Sequence, residues 1–158
     1  TVGEEKEVWD SFIDWRIMRM VEEARRLGTD QLRAVVERGR ELGLQVFPSL
    51  KLQDSAKLQS ERCGLLKQAR GAEVCIGDEG RAEWCYDFAH EAVHEDKLAM
   101  VGEVLDDYGA DGLELDFCFD NFYFKSADVE KNVPLMNDFM AKVRRCQSAD
   151  TAAQIDFA

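Results

Sequence analysis

The segment DGLELDF limits most strongly what this 158-residue chain can fold into. Its apolar side chains alternate with acidic ones, which is the two-residue period of a β-strand. The segment therefore predicts a strand with one aliphatic face and one polar face, made of Leu113, Leu115 and Phe117 against Glu114 and Asp116.

A second candidate strand, LQVFPSLKL at residues 44–52, is divided in the same way. Pro48 weakens this prediction because proline donates no hydrogen bond to a neighbouring strand. The tail QSADTAAQIDFA offers one further short strand at most. The two faces of the second candidate are Val46, Leu50 and Leu52 against Ser49, Lys51 and Gln53.

Apolar residues at helical spacing surround both strands. They predict helices over about residues 5–27, 29–43, 91–108 and 134–145. Thr29 could cap the second helix, Pro134 suits the first position of the last, and glycines are placed to end the other three: Gly28, Gly43 and Gly109.

The connection from residue 54 to residue 89 shows no clear pattern. A helix over Ser55–Ala69 and a short strand in AEVCIG or EWCYDF are its candidate elements. Outside this connection, helices and strands alternate along the chain. This alternation is typical of βα units with parallel strands.

Composition excludes some partners. The formal net charge of −12 disfavours nucleic acid, whose binding usually rests on a basic patch. No apolar run approaches the roughly 20 residues that span a bilayer.

The five cysteines include no C-x-x-C pair, so buried free thiols are expected. A targeting segment could have been removed before Thr1, which leaves the compartment open.

Three stretches together cover about half of the chain: RRLGTDQLRAVVERGRELGLQVFPSLKLQD, YDFAHEAVHEDKLAMVGEVLDDYGADGLELDF and KNVPLMNDFMAKVRR. They resemble the glycosyl-hydrolase-like (β/α)8 barrel proteins common in bacteria with polysaccharide-rich diets. The resemblance implies an α/β fold, a partial (β/α)8 TIM-barrel-like arrangement of parallel strands with flanking helices. A whole barrel takes about 250 residues, so residues 1–158 would form a single incomplete domain, as a fragment or a reduced relative.

Two positions differ from the family's pattern. Lys51-Leu52-Gln53-Asp54 stands where the family often has Arg-x-Asn-Asp, and Cys118-Phe119-Asp120 stands where an arginine commonly follows the later strand. A lysine does not reproduce the bidentate geometry of a guanidinium. The differences bear on catalysis and leave the predicted fold unchanged.

Glu114 and Asp116 are the candidate catalytic residues. Residues i and i+2 of a strand share a face, with about 6.5–7 Å between their α-carbons. Two carboxylates this close suit general acid and base chemistry, and glycoside hydrolysis requires such a pair. The alternative is that both are solvated or paired with Lys51 or Lys125.

Substrate-binding candidates follow the two strands. Lys51, Gln53 and Asp54 would line the same cleft, and Trp84 and Phe119 could stack on sugar rings. Phe122, Tyr123 and Phe124 lie with Phe119 in the aromatic loop that follows DGLELDF. For the aromatic set, packing within the protein is the favoured alternative. No cofactor is expected.

HEAVH, residues 90–94, matches the H-E-x-x-H motif of zinc peptidases. On a helix, His90 and His94 would share a face, with Glu91 as a base. The motif lies where a helix begins, however, and His90 could cap that helix. We therefore predict a helix start and no metal, and keep His90 and His94 as the alternative metal ligands.

Three functional hypotheses of different classes follow, and the least favoured of them is an H-E-x-x-H zinc peptidase. The first is hydrolysis of glycosidic bonds in a polysaccharide, by this chain or by the enzymes from which it derives. The second is a non-catalytic docking subunit of a larger protein complex, because open sheet edges need covering. The sugar and the stereochemical outcome stay open.

Overall fold

The computed structural model describes residues 12–58, 63–78, 80–146 and 154–157. Helix accounts for 57% of the structure and strand for 8%. The chain divides into two compact units between Leu44 and Gln45. No helix in these ranges is both long and apolar enough to cross a membrane.

The first unit contains helices α1, Phe12–Arg26, and α2, Gln31–Glu41. Both predicted stops are confirmed, because Gly28 and Gly43 adopt positive φ angles of 72° and 68° just after the two helices. The cap of α2 lies one residue later than predicted. The Asp30 carboxylate, rather than the Thr29 hydroxyl, accepts the Arg33 N–H at 2.9 Å. The predicted helical residues 5–11 lie outside the described residues.

The second unit contains a parallel sheet of three short strands among the residues described, in the order β1-β2-β3. They are Ser49–Lys51, Gly112–Asp116 and Gln154–Phe157. In the β1–β2 register, Ser49 is opposite Glu114 and Lys51 is opposite Asp116. The tail therefore supplies the one short strand that was predicted there.

Strand β1 is shorter than the nine residues predicted. Pro48 donates no ladder hydrogen bond, but its carbonyl accepts the Glu114 N–H at 2.9 Å. Before it, Val46 bonds to the loop that precedes β2: its N–H donates to the Asp111 carboxylate at 2.8 Å. Only three residues remain in regular strand geometry.

Two long helices pack on the aliphatic side of the sheet. Helix α4, Glu91–Gly102, continues as a π-helix over Glu103–Asp107, and α5 spans Val129–Arg145. Each fully buried leucine or phenylalanine stabilises the fold by about 1.5–3 kcal/mol, so this face holds the unit together. Its fully buried members are Leu52, Phe88, Val93, Val101, Leu113, Leu115, Phe139 and Val143.

Of two predicted features of these helices, the stop at Gly109 is confirmed and the position of Pro134 is wrong. Gly109 has a positive φ of 63° after the π-helix, which confirms the predicted stop. Pro134 lies inside α5 rather than at its first position, so that prediction is wrong. The helix begins earlier because a 3₁₀ turn over Ser126–Asp128 leads directly into Val129.

The connection between β1 and α4 has little regular structure. It contains the short helix α3, Leu65–Arg70, and 3₁₀ turns over Gly71–Val74 and Gly80–Ala82. The predicted short strand is a single antiparallel bridge between Cys75 and Tyr86. Most of the helix predicted over Ser55–Ala69 is therefore absent from the described part of that segment.

The prediction of a TIM-barrel-like α/β fold is wrong. The structure is mostly helical, and its strands are few and short. The physical reason lies in the long connection between β1 and α4. Its side chains bond to backbone groups of the connection itself and of the loop after β2 instead of forming a strand–helix unit. The prediction of one incomplete domain stays a prediction, since the division into compact units does not test it.

Candidate functional site

The carboxyl ends of β1 and β2 lie side by side, because Lys51 and Asp116 are register partners at the ends of the two strands. Polar groups at this edge of a parallel sheet commonly form binding sites. Ser49 and Lys51 are exposed, whereas Glu114 and Asp116 are half-buried. The predicted carboxylate pair therefore lies on the polar face, away from the leucines of the core.

The Asp116 carboxylate organises the loop that follows β2. Its Oδ1 atom accepts the backbone N–H of Cys118 at 2.8 Å and that of Phe119 at 3.1 Å. No described residue donates to its other oxygen, Oδ2. Asp116 is thus fixed in orientation through one oxygen and can offer the other to a ligand.

Glu114 has a neutral hydrogen-bond partner on β1. Its Oε1 atom accepts the Ser49 hydroxyl across the strand pair at 3.1 Å. In the ranges that the structure covers, neither Glu114 nor Asp116 forms an ion pair with Lys51 or Lys125. The two carboxylates are therefore not neutralised by the neighbouring lysines.

Lys51 and Phe119 contact each other. The Lys51 ammonium lies 3.7 Å from the centroid of the Phe119 ring, which is a close cation–π contact. Phe119 remains 44% exposed. The structure therefore brings together four of the predicted site residues at one edge: Glu114, Asp116, Lys51 and Phe119.

Gln53 lies in the interior instead. Its amide nitrogen donates to the carbonyls of Tyr86, at 2.9 Å, and of Phe122, and its oxygen accepts the Tyr86 N–H at 2.9 Å. The buried amide thus pairs with both backbone groups of Tyr86 as a neighbouring strand would. This geometry gives Gln53 a structural role that the strand pattern did not predict.

Asp54 is also engaged within the protein. Its carboxylate accepts the N–H groups of Ala56 and Gly64 at 2.8 and 2.9 Å and pairs with Lys67 at 3.1 Å. Lys67 is fully buried and donates to the carbonyls of Asp54, Ala56 and Trp84 at 2.7–3.0 Å. The half-buried Trp84 therefore contributes its carbonyl to this network.

Burial governs the titration of the groups around this network. Tyr86 is almost fully buried, and the loss of solvent raises the pKa of its phenol. Lys97 contacts the same ring, and burial lowers the pKa of its ammonium, although Asp96 opposes the shift. Burial, and to a smaller extent the negative charge of Asp120, raise the pKa of the Cys85 thiol to about 11.

Three residues at the sheet edge were missed by sequence reasoning. The buried Asp120 carboxylate accepts the Ser55 hydroxyl at 2.6 Å and pairs with Arg81 at 2.7 Å. Asp120 also has a positive φ of 51°, which is uncommon for a residue with a side chain. Ser55 and Arg81 are 65 and 39 positions away from Asp120, so no local pattern could reveal the cluster.

HEAVH marks a helix start, as predicted, since α4 begins at Glu91 with His90 at the N-cap position. The His90 side chain makes no capping hydrogen bond, and it is exposed. His94 is buried against Phe88 and Phe139, and its Nε2 atom is 2.8 Å from the Phe88 carbonyl oxygen. Across the residues described, no group of three or more His, Cys, Asp or Glu side chains is arranged to hold a metal ion.

All five cysteines are free. Cys63, Cys75 and Cys85 are buried, as expected, and Cys146 is partly buried. Cys118 is exposed beside Asp116.

No protein-family model and no curated protein matches the chain.

Proposed function

We propose that the chain hydrolyses glycosidic bonds in a polysaccharide, with Asp116 and Glu114 as the catalytic carboxylates. One observation carries the proposal: both carboxylates lie on the polar face of β2 without an ion-pair partner in the described part of the chain. The exposed Phe119 beside them offers an aromatic surface for a sugar ring.

The chemistry needs two carboxyl groups in different roles. One protonates the oxygen of the leaving sugar, and the other activates a water molecule or attacks the anomeric carbon. Asp116 is oriented by two backbone N–H donors, and Glu114 by the Ser49 hydroxyl. Gln53 and Asp54 support this edge from inside rather than contacting substrate.

The test is the release of reducing ends from a panel of polysaccharides. Asp116→Asn and Glu114→Gln are suitable variants because each amide keeps an oxygen that can accept the hydrogen bonds observed. General acid–base catalysis contributes about 10²–10⁴-fold, so each variant should lose activity on that scale. Glu73→Gln is the matched control and should be fully active, because Glu73 is exposed in the 3₁₀ turn that follows α3.

A second candidate is a non-catalytic docking subunit. Parallel sheets are normally covered on both faces, whereas Ser49 and Lys51 of β1 are exposed. In this case a partner protein, rather than a polysaccharide, would bind the exposed face. Native mass spectrometry from the natural source, followed by denaturation, should then show this chain leaving a larger complex, with no sugar-cleaving activity.

A further inference from the structure

Arg81 has an exposed guanidinium that is bound to a buried carboxylate, that of Asp120. Its side chain is 78% exposed, whereas the Asp120 side chain to which it bonds is 3% exposed. One terminal nitrogen of Arg81 makes this contact, and among the described residues no other acceptor binds the guanidinium. Arginine carries five N–H donors, so most of them are available to a ligand.

The anchor of Arg81 is itself constrained. Asp120 has left-handed backbone geometry, and its second carboxylate oxygen accepts the Ser55 hydroxyl. Conformations of this kind persist where the surroundings determine them and are frequent at ligand sites. The position of the guanidinium is therefore set by the loops after both strands.

Lys51 supplies a second cation at the same loop. Its ammonium lies on the ring of Phe119, the residue before Asp120. Lys51 makes no ion pair within the described ranges, even with its register partner Asp116. Among the described residues, Lys51 has no ion-pair partner and Arg81 has only Asp120. The two cations thus contact consecutive residues of one loop, Phe119 and Asp120, in a chain whose net charge is −12.

We propose that Lys51 and Arg81 recognise a carboxylate on the sugar, so that the substrate is a polysaccharide containing uronic acid. This inference rests on the proposed function and adds the substrate class. The planar guanidinium matches a carboxylate in two-point geometry, and the ammonium adds a point charge. The Phe119 ring lies beside the Lys51 ammonium and remains exposed, where it can contact the apolar face of the same sugar.

Matched ligands test the charge of the sugar. Trimers of galacturonate, mannuronate and guluronate are titrated into the full chain by calorimetry, each beside its methyl ester, which keeps the ring and removes the charge. At least one acid should bind, and its ester should bind about tenfold more weakly or worse, which is the scale of a lost charge-assisted hydrogen bond.

Matched variants test the two cations. Lys51→Met and Arg81→Lys should each weaken binding of the acid about tenfold and leave the ester unchanged. Arg81→Lys keeps the charge that Asp120 requires, so its fold is preserved. Lys131→Met and Arg70→Lys, at exposed helical sites, are the controls and should bind the acid with unchanged affinity.

The outcomes separate the two proposals. Equal binding of acid and ester would overturn the uronate inference and leave carbohydrate hydrolysis standing. Unchanged affinity of Arg81→Lys for the acid would restrict Arg81 to neutralising Asp120 and would also overturn the inference. Failure to bind any acid or ester, together with no cleavage of any polysaccharide, would remove both.

Discussion

The loops that follow β1 and β2 contain similar polar residues and use them differently. After β1, Gln53 and Asp54 bond to backbone groups and to the buried Lys67. After β2, Asp116 bonds to backbone through one oxygen, and the neighbouring Phe119 stays exposed. The first loop therefore stabilises the fold, whereas the second presents Asp116 and Phe119 to solvent. Substitutions in the first should therefore change stability, and those in the second should change ligand binding.

Lys67→Met is the largest expected perturbation of the first loop. It would leave the Asp54 carboxylate and three carbonyls without their ammonium partner in a buried place. Breaking a buried pair in this way costs about 3–5 kcal/mol of the free energy of unfolding. Urea denaturation measures the change, with the exposed Lys57→Met as control. A loss below about 1 kcal/mol would show that the network does not stabilise the fold.

Gly64→Ala tests how tightly the same loop is packed. A Cβ atom at Gly64 would lie 2.5 Å from the Tyr86 hydroxyl and 3.0 Å from Asp54 Oδ2. Overpacking of this kind costs about 1–3 kcal/mol. Gly102→Ala is the matched control, because a Cβ atom there meets only Asp106 Oδ2 at 4.0 Å. Thermal denaturation should separate the two variants, and equal melting temperatures would contradict the predicted contact.

Tyr123→Phe probes the inner side of the second loop. Burial, and then Asp116, raise the pKa of Tyr123 above its ordinary value of 10.0. Above that pH the unfolded chain loses the phenol proton first, so the free energy of unfolding falls as pH rises. The variant should lose about 1 kcal/mol at neutral pH, because the hydrogen bond to the Phe117 carbonyl is absent.

The same variant should also be less sensitive to alkali. Removing one phenol reduces the slope of stability against pH above pH 10 by up to about 1.4 kcal/mol per pH unit. Tyr86 and Cys85 shift in the same direction, so some alkaline loss remains. Denaturant titrations at pH 8 and pH 11 measure the slope. An identical slope in the variant and the parent would assign the alkaline loss to those other groups.

Asp116→Asn should have the smallest effect on stability. The amide oxygen can still accept the N–H groups of Cys118 and Phe119, so the free energy of unfolding should change by less than about 0.5 kcal/mol. Combined with the loss of sugar cleavage proposed above, this result would sharpen the contrast between the two loops. A large destabilisation would instead place Asp116 with Gln53 and Asp54 as a structural residue.

The strands and helix ends could be predicted where the signal is local. Alternation in DGLELDF defines β2, and Gly28, Gly43 and Gly109 end their helices through positive φ angles. The candidate carboxylates were found because they share the polar face of that one strand.

The fold class and the inner residues could not be predicted in this way. Resemblance to barrel proteins suggested a strand–helix repeat, but the connection after β1 is organised by side chains that bond to distant backbone. Gln53 pairs with Tyr86, 33 positions away, and Lys67 with Trp84, 17 positions away. Such contacts have no periodicity, so the Asp120 cluster has no signature in the sequence, whereas Pro48 is the one local signal that β1 is short.

The register of the sheet has a consequence for the order of folding. Ser49 and Glu114 are partners although 65 positions separate them, and β2 is the strand to which both others pair. Closing so long a loop precedes any gain from pairing, and folding slows as contacts become less local. Helices α1 and α2 need only contacts between neighbouring residues. The first unit can therefore acquire its helices rapidly, while the sheet, and with it the edge that carries Asp116, forms late.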